Sequence, residues 1–173
     1  MVLIIEISGI PIDPPEPIKQ KENTIKIYDK LQQTFQSVEE IPKNVNLECI
    51  TCGCSTLRRP FFVPKRVMKN GLIERGDNPF CCSPNCAIYS LIKQNMNKDE
   101  YEFYYSNTIK LVTLYTGELT PVILPSPSPS ILKKYGGNTD DIDYQLQIFA
   151  LGSDIIKKLY VDKIDMIRET QEY

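Results

Sequence analysis

Two short stretches decide how this chain folds: Glu48-Cys-Ile-Thr-Cys-Gly-Cys54 and Pro79-Phe-Cys-Cys-Ser-Pro-Asn-Cys-Ala87. All six cysteines of the 173-residue chain lie in them, between positions 49 and 86. Disulfide frameworks spread their half-cystines along a secreted chain, whereas metal sites gather them in hooks. The first hook is a Cys-x-x-Cys-Gly knuckle, whose two-residue gap lets Cys49 and Cys52 converge on one ion at about 2.3 Å. Its glycine permits the tight turn. The second hook offers Cys82 and Cys86, and a helix starting there would turn the positive end of its dipole toward the thiolates.

Twenty-nine residues separate Cys52 from Cys82, which suits a zinc ribbon with an inserted loop. The chain contains no histidine, so the expected site is all-thiolate: one structural Zn²⁺ on Cys49, Cys52, Cys82 and Cys86. Two alternatives stay open at this point. Cys54 could take the place of Cys52, and Cys81 that of Cys82; otherwise both are spare thiols. An ion in a comparable module contributes about 10–16 kcal/mol to folding at neutral pH. The apolar residues between the hooks (Phe61, Phe62, Val63, Val67 and Phe80) are too few to order the segment without it.

The insert is basic. Arg58, Arg59, Lys65, Arg66, Lys69 and Arg75 face only Glu74 and Asp77, in a chain of net charge −2. That total excludes a surface that is positive throughout, so any contact with DNA or RNA must be local, with Arg58, Arg59, Lys65, Arg66 and Lys69 as its candidates. The same charges could instead solvate the loop and offset a dianionic zinc–thiolate centre.

Apolar residues at 42% and charged residues at 24% are ordinary for a folded protein. The segment from Met1 to Ser8 is too short, and too acidic at Glu6, for a signal peptide, and reads as a strand. No run approaches the ~18 apolar residues of a membrane span, so a soluble, intracellular protein without membrane contact is expected. The fold class is α+β: a small four-cysteine finger with a few strands and three to four helices.

Five stretches follow. Residues 1–44 hold the strand, a proline-rich connector at 9–17 and an amphipathic helix from Asn23 to about Glu40, with Tyr28, Leu31, Phe35 and Val38 on its apolar face. Residues 45–97 form the zinc module, closed by a helix from Ala87 to about Asn97. Residues 98–123 are expected as a β segment, with Thr108–Thr116 dense in β-branched side chains and a return strand from Pro121 to Ile123. Residues 124–130 alternate proline and serine as a polyproline-type linker or docking strip. Residues 131–173 are a helical tail: a turn at Ile131–Tyr135, a helix from Asn138 burying Leu146 and Phe149, and a closing helix from about Ile155 to Glu169.

Phe80-Cys-Cys-Ser-Pro-Asn-Cys86 resembles the Phe-Cys-Ser-x-x-Cys signature of FCS- and MYM-type zinc fingers, with one inserted cysteine. The proline-rich strip, Ile131-Leu-Lys-Lys-Tyr-Gly-Gly137 and the acidic helix start after it are similar to the tail of the late transcription factor two-like family of large nucleocytoplasmic DNA viruses. This resemblance covers roughly residues 45–150. It implies a zinc-binding late-gene transcription factor that works with viral RNA polymerase or transcription factors, in the host cytoplasm or viral factory or packaged in the virion. It also implies a structural or partner-docking role for Tyr135-Gly136-Gly137. The competing expectation is a zinc-stapled adaptor that binds other structural proteins through its proline arms. No catalytic residue is expected, because a closed thiolate site offers no coordination position and no nucleophile or phosphate-loop motif occurs.

Overall fold

A computed structural model describes residues 32–43, 47–56, 60–77, 80–117, 119 and 121–151. Among them, five short strands and three α-helices form an α+β fold. The expected N-terminal strand, proline connector and closing helix, together with Arg58 and Arg59, lie outside the described residues.

The central hairpin pairs β4 (Pro64–Val67) with β5 (Ile73–Arg75), antiparallel, around an Asn70-Gly71 turn. β1 (Thr34–Phe35) joins the other edge of β5, giving the order β1-β5-β4. Pro64, Val67 and Ile73 turn inward while the successive residues Lys65 and Arg66 both stay in solvent, because a register shift between Pro64 and Arg66 interrupts the alternation. A second ribbon, β2 (Leu47–Glu48) with β3 (Ser55–Thr56), carries the first cysteine hook at its tip. Helix α1 (Pro84–Lys93) leaves the second hook, α2 (Lys98–Thr116) packs across β4 and α1, and α3 (Asp141–Leu151) follows an extended stretch.

The core gathers around Phe62, which is fully buried between two rings. Phe35 stacks on it at 6.0 Å and Phe80 meets it edge-on at 5.9 Å. Phe80 precedes Cys81, so the aromatic core and the second hook are built from one run of chain.

Three expectations are corrected. The helix expected up to Glu40 is absent over its described part: Thr34–Phe35 is strand and Val38–Glu40 a single 3-10 turn. Phe35 instead pairs with Ile73 and stacks on Phe62, a burial that an isolated helix face could not match.

The expected β segment at 98–123 is mostly helix α2. Asn97 caps it by accepting the Glu100 N–H at 2.9 Å, and Asp99 and Glu100 stand in its first turn, where the dipole favours negative charge. Gly117, at φ +75°, closes it in the left-handed conformation that side chains resist. Asn107, Thr108, Leu111 and Val112 form its buried face at helical spacing. Thr108 and Thr116 donate their hydroxyls to the carbonyls four residues back, at 2.8 Å each, so the β-branched run meets its polar needs inside a helix. No return strand forms at Pro121–Ile123. The nearby prolines lack the donors a ladder requires.

In α3 the buried positions are Tyr144 and Ile148 rather than Leu146, which is 38% exposed, and Phe149, which is half-buried. Tyr144 takes the inward place because its hydroxyl finds a carbonyl there, donating to Pro127 at 2.7 Å.

Candidate metal centre

The first hook folds as a tight knuckle. The Cys49 N–H donates to the Cys54 carbonyl at 3.0 Å, and the Gly53 N–H donates to the Cys49 carbonyl at 2.7 Å. Gly53 sits at φ +64°, and a Cβ there would meet the Tyr135 hydroxyl at 2.5 Å. The left-handed turn favours glycine there, and the Tyr135 hydroxyl packs close over it.

In the second hook, Phe61 and Cys81 exchange backbone hydrogen bonds at 3.0 and 2.7 Å, fixing the chain just before Cys82. Ser83 then caps α1, its hydroxyl accepting the Cys86 N–H at 3.0 Å. Pro84 fills the first helical position, where a missing donor costs nothing. Cys86 thus stands in the first turn, as the spacing suggests. Ser83→Ala is expected to cost about 1 kcal/mol, read as a lower melting temperature of the metal-loaded protein.

The hooks are tied to each other directly. The Ile50 N–H donates to the Phe80 carbonyl at 2.9 Å, and the Thr51 hydroxyl donates to the Cys86 carbonyl at 3.0 Å. The sulfurs of Cys49, Cys52, Cys82 and Cys86 consequently lie within 4.8 Å of one another. Sγ of Cys82 is 3.6 Å from Sγ of Cys52 and 3.5 Å from Sγ of Cys86. Those separations are far beyond the ~2.05 Å of a disulfide. They approach the tetrahedron edge of about 3.8 Å that follows from four Zn–S bonds near 2.3 Å. Cys49, Cys52 and Cys86 are buried and Cys82 is half-buried. The donor set is soft, four-fold and closed, and fits a tetrahedral thiophilic dication such as zinc.

The sulfurs also perturb one another's protonation. Hydrogen bonding from Cys52 first, then from Cys81, Cys82 and Cys86, drives the Cys49 thiol well below its usual range. The bond to Cys49 in turn raises Cys52, Cys82 and Cys86. Without a cation the cluster favours one thiolate and resists the next. A bound dication reverses that order, since coordinated thiols give up their protons.

Cys54 and Cys81, the two alternative ligands, border the cluster, beside Cys52 and Cys49 respectively, but fall outside the group of four sulfurs. Both are buried. Cys54 turns its sulfur to the Lys134 ammonium at 3.6 Å, and Cys81 lies 3.7 Å from the Thr51 hydroxyl.

The basic candidates scatter in their roles. Lys65 pairs with Glu74 at 3.2 Å on the hairpin surface. Arg66 and Lys69 are exposed on the same hairpin, and the Arg75 guanidinium lies 5.3 Å over the Phe80 ring. Residues that composition did not flag also build the site: Thr51 joins the hooks, while Asn85, Lys134 and Tyr144 connect them to residues 121–151. Of these, Thr51 and Asn85 lie inside the two hooks and Lys134 inside the Ile131–Gly137 run, whereas Tyr144 carried no positional hint.

Among the described residues no helix is long and apolar enough to cross a membrane. No protein-family model matches the chain, and no solved structure matches it. Uncharacterized protein B175L of African swine fever virus, in two isolates, is 24% identical to it over 165 residues, spanning 90% of this chain and 94% of that protein. Along nearly its whole length, then, the chain is similar to a protein of a large DNA virus, and it brings four cysteines into one compact cluster suited to a metal ion.

Proposed function

We propose that this chain is a non-catalytic, zinc-stapled factor of viral gene expression that contacts the viral RNA polymerase or its transcription factors. The observation that carries the first half is the closed set of four sulfurs, which holds two hooks together and offers no open position for a substrate. Support for the second half comes from the similarity to a large-virus protein and the FCS-type second hook. In this reading zinc fixes the finger, and the chain acts in the infected-cell cytoplasm or viral factory.

The β4–β5 hairpin is the proposed nucleic-acid contact, through Lys65, Arg66 and Lys69. Charge of this kind acts on phosphates and is salt-dependent. The double reversal Arg66→Glu, Lys69→Glu is expected to weaken binding to short DNA and RNA duplexes or single strands by at least about tenfold at low salt, with a shallower salt slope. Fluorescence anisotropy across a salt series reads both. Binding absent at low salt, or unchanged by the reversal, removes nucleic acid from the proposal.

One observation favours a protein partner: Leu119, Val122 and Leu124 are exposed by 86%, 72% and 49% in a short run of chain. An adaptor role is the second reading. Affinity capture from infected-cell extract separates the two. Polymerase subunits retained by the zinc-loaded chain support transcription; retention of structural proteins without them supports the adaptor.

A further inference from the structure

Residues 121–144 return to both cysteine hooks. Asn85, beside Cys86 in the first turn of α1, donates from Nδ2 to the Leu124 carbonyl at 2.8 Å, and its backbone carbonyl accepts the Ser126 N–H at 3.0 Å. The proline–serine strip, expected as a polyproline-type segment over 124–130, ends in a 3-10 turn at Pro129–Ile131 and is fastened to the second hook. At the first hook, the Lys134 ammonium lies 3.6 Å from Cys54 Sγ and 3.0 Å from Asp141 Oδ2, with the Tyr135 hydroxyl over Gly53. Between these, Tyr144 is wholly buried and donates to the Pro127 carbonyl at 2.7 Å. Burial raises its phenol pKa.

The loop between these anchors is itself well formed. The Lys133 N–H donates to the Thr139 carbonyl at 2.8 Å and the Thr139 N–H to the Ile131 carbonyl at 2.9 Å, around a buried Leu132. Lys134 therefore arrives on a rigid turn. Cys54 lies two residues after Cys52, so the Lys134 ammonium brings positive charge to the side of the first hook, where a tetrathiolate–zinc centre would carry net charge −2.

We infer that residues 121–144 are a third component of the metal site, an arm on which Lys134 and Tyr144 act as positioning residues, so that the ion and the arm seat one another. The inference rests on the zinc reading above. Coupling of this kind is reciprocal: whatever factor the ion contributes to seating the arm, the arm contributes to holding the ion.

The test uses the full chain loaded with zinc, and the variants Lys134→Glu, Lys134→Gln, Lys134→Arg and Tyr144→Phe. Zinc transfer to a chromogenic chelator gives relative affinity, and hydrogen exchange reports protection of residues 121–151. Lys134→Glu is expected to lower zinc affinity about tenfold, a typical coupling between sites. Lys134→Gln should fall between, and Lys134→Arg should restore wild-type retention. Tyr144→Phe keeps the ring and loses the Pro127 hydrogen bond; it should weaken zinc and raise exchange at 121–132 together. If exchange in the arm rises while zinc retention stays at the wild-type level, the arm is a passenger and the inference is overturned. Unchanged exchange and unchanged retention overturn it equally. A wild-type chain that carries no zinc is a distinct result, which removes the metal reading itself.

Discussion

Replacing Cys86 by serine is expected to release the metal and unfold the cysteine module. A serine hydroxyl is a harder and far weaker zinc donor than a thiolate. A structural zinc of this class contributes about 10–16 kcal/mol at neutral pH, as much as or more than the whole stability of an ordinary domain, about 5–15 kcal/mol. The loss should propagate, because Cys86 lies in the turn that accepts Thr51 from the first hook and beside the residue that holds Leu124 and Ser126. Circular dichroism and metal content of the purified variant check it. Cys54→Ala is the matched control, since its sulfur faces Lys134, and it should keep the metal. A Cys86→Ser protein with wild-type metal content and an unchanged melting curve would contradict the assignment.

Phe62→Ala is expected to cost about 3–5 kcal/mol, the range for removing a buried aromatic side chain. Phe62 has no exposed surface and touches Phe35 from β1 and Phe80 from the second hook. The cavity would therefore open between the sheet and the metal module. Urea denaturation of the zinc-loaded protein measures the effect as a lower midpoint. Ile92→Ala, at a position 48% exposed on α1, should move stability by no more than about 0.5 kcal/mol. Equal costs at the two positions would mean that the aromatic cluster is not the core.

What the sequence revealed follows from the range over which each signal acts. The hooks were legible because ligand spacing is local: Cys-x-x-Cys-Gly and the Cys82–Cys86 pair are written within a few residues. A helix leaving the second hook was readable for the same reason, although it starts at Pro84 rather than Ala87 and ends at Lys93 rather than near Asn97, and so was the turn closed by Gly136. Helix α2 was misread because Thr108–Thr116 has high β propensity, a weak preference that the Asn97 cap, the Gly117 stop and a buried face at helical spacing override. The β-sheet role of Phe35 was hidden because its partner, Ile73, lies 38 positions away. The arm was the least legible part. A proline–serine strip looks like a linker in any window, and only the folded chain places its carbonyls against Asn85 and Tyr144. The basic insert shows the converse limit, since counting charges could not foresee Lys65 paired with Glu74 or Arg75 laid over Phe80.

The most direct test is elemental analysis of zinc per chain, on protein purified without added metal, for the wild type and for Cys81→Ser and Cys82→Ser. The account predicts one zinc in the wild type and in Cys81→Ser, and none in Cys82→Ser. A well-folded wild-type protein without zinc, or a Cys82→Ser variant that keeps it while Cys81→Ser loses it, would contradict the centre described above.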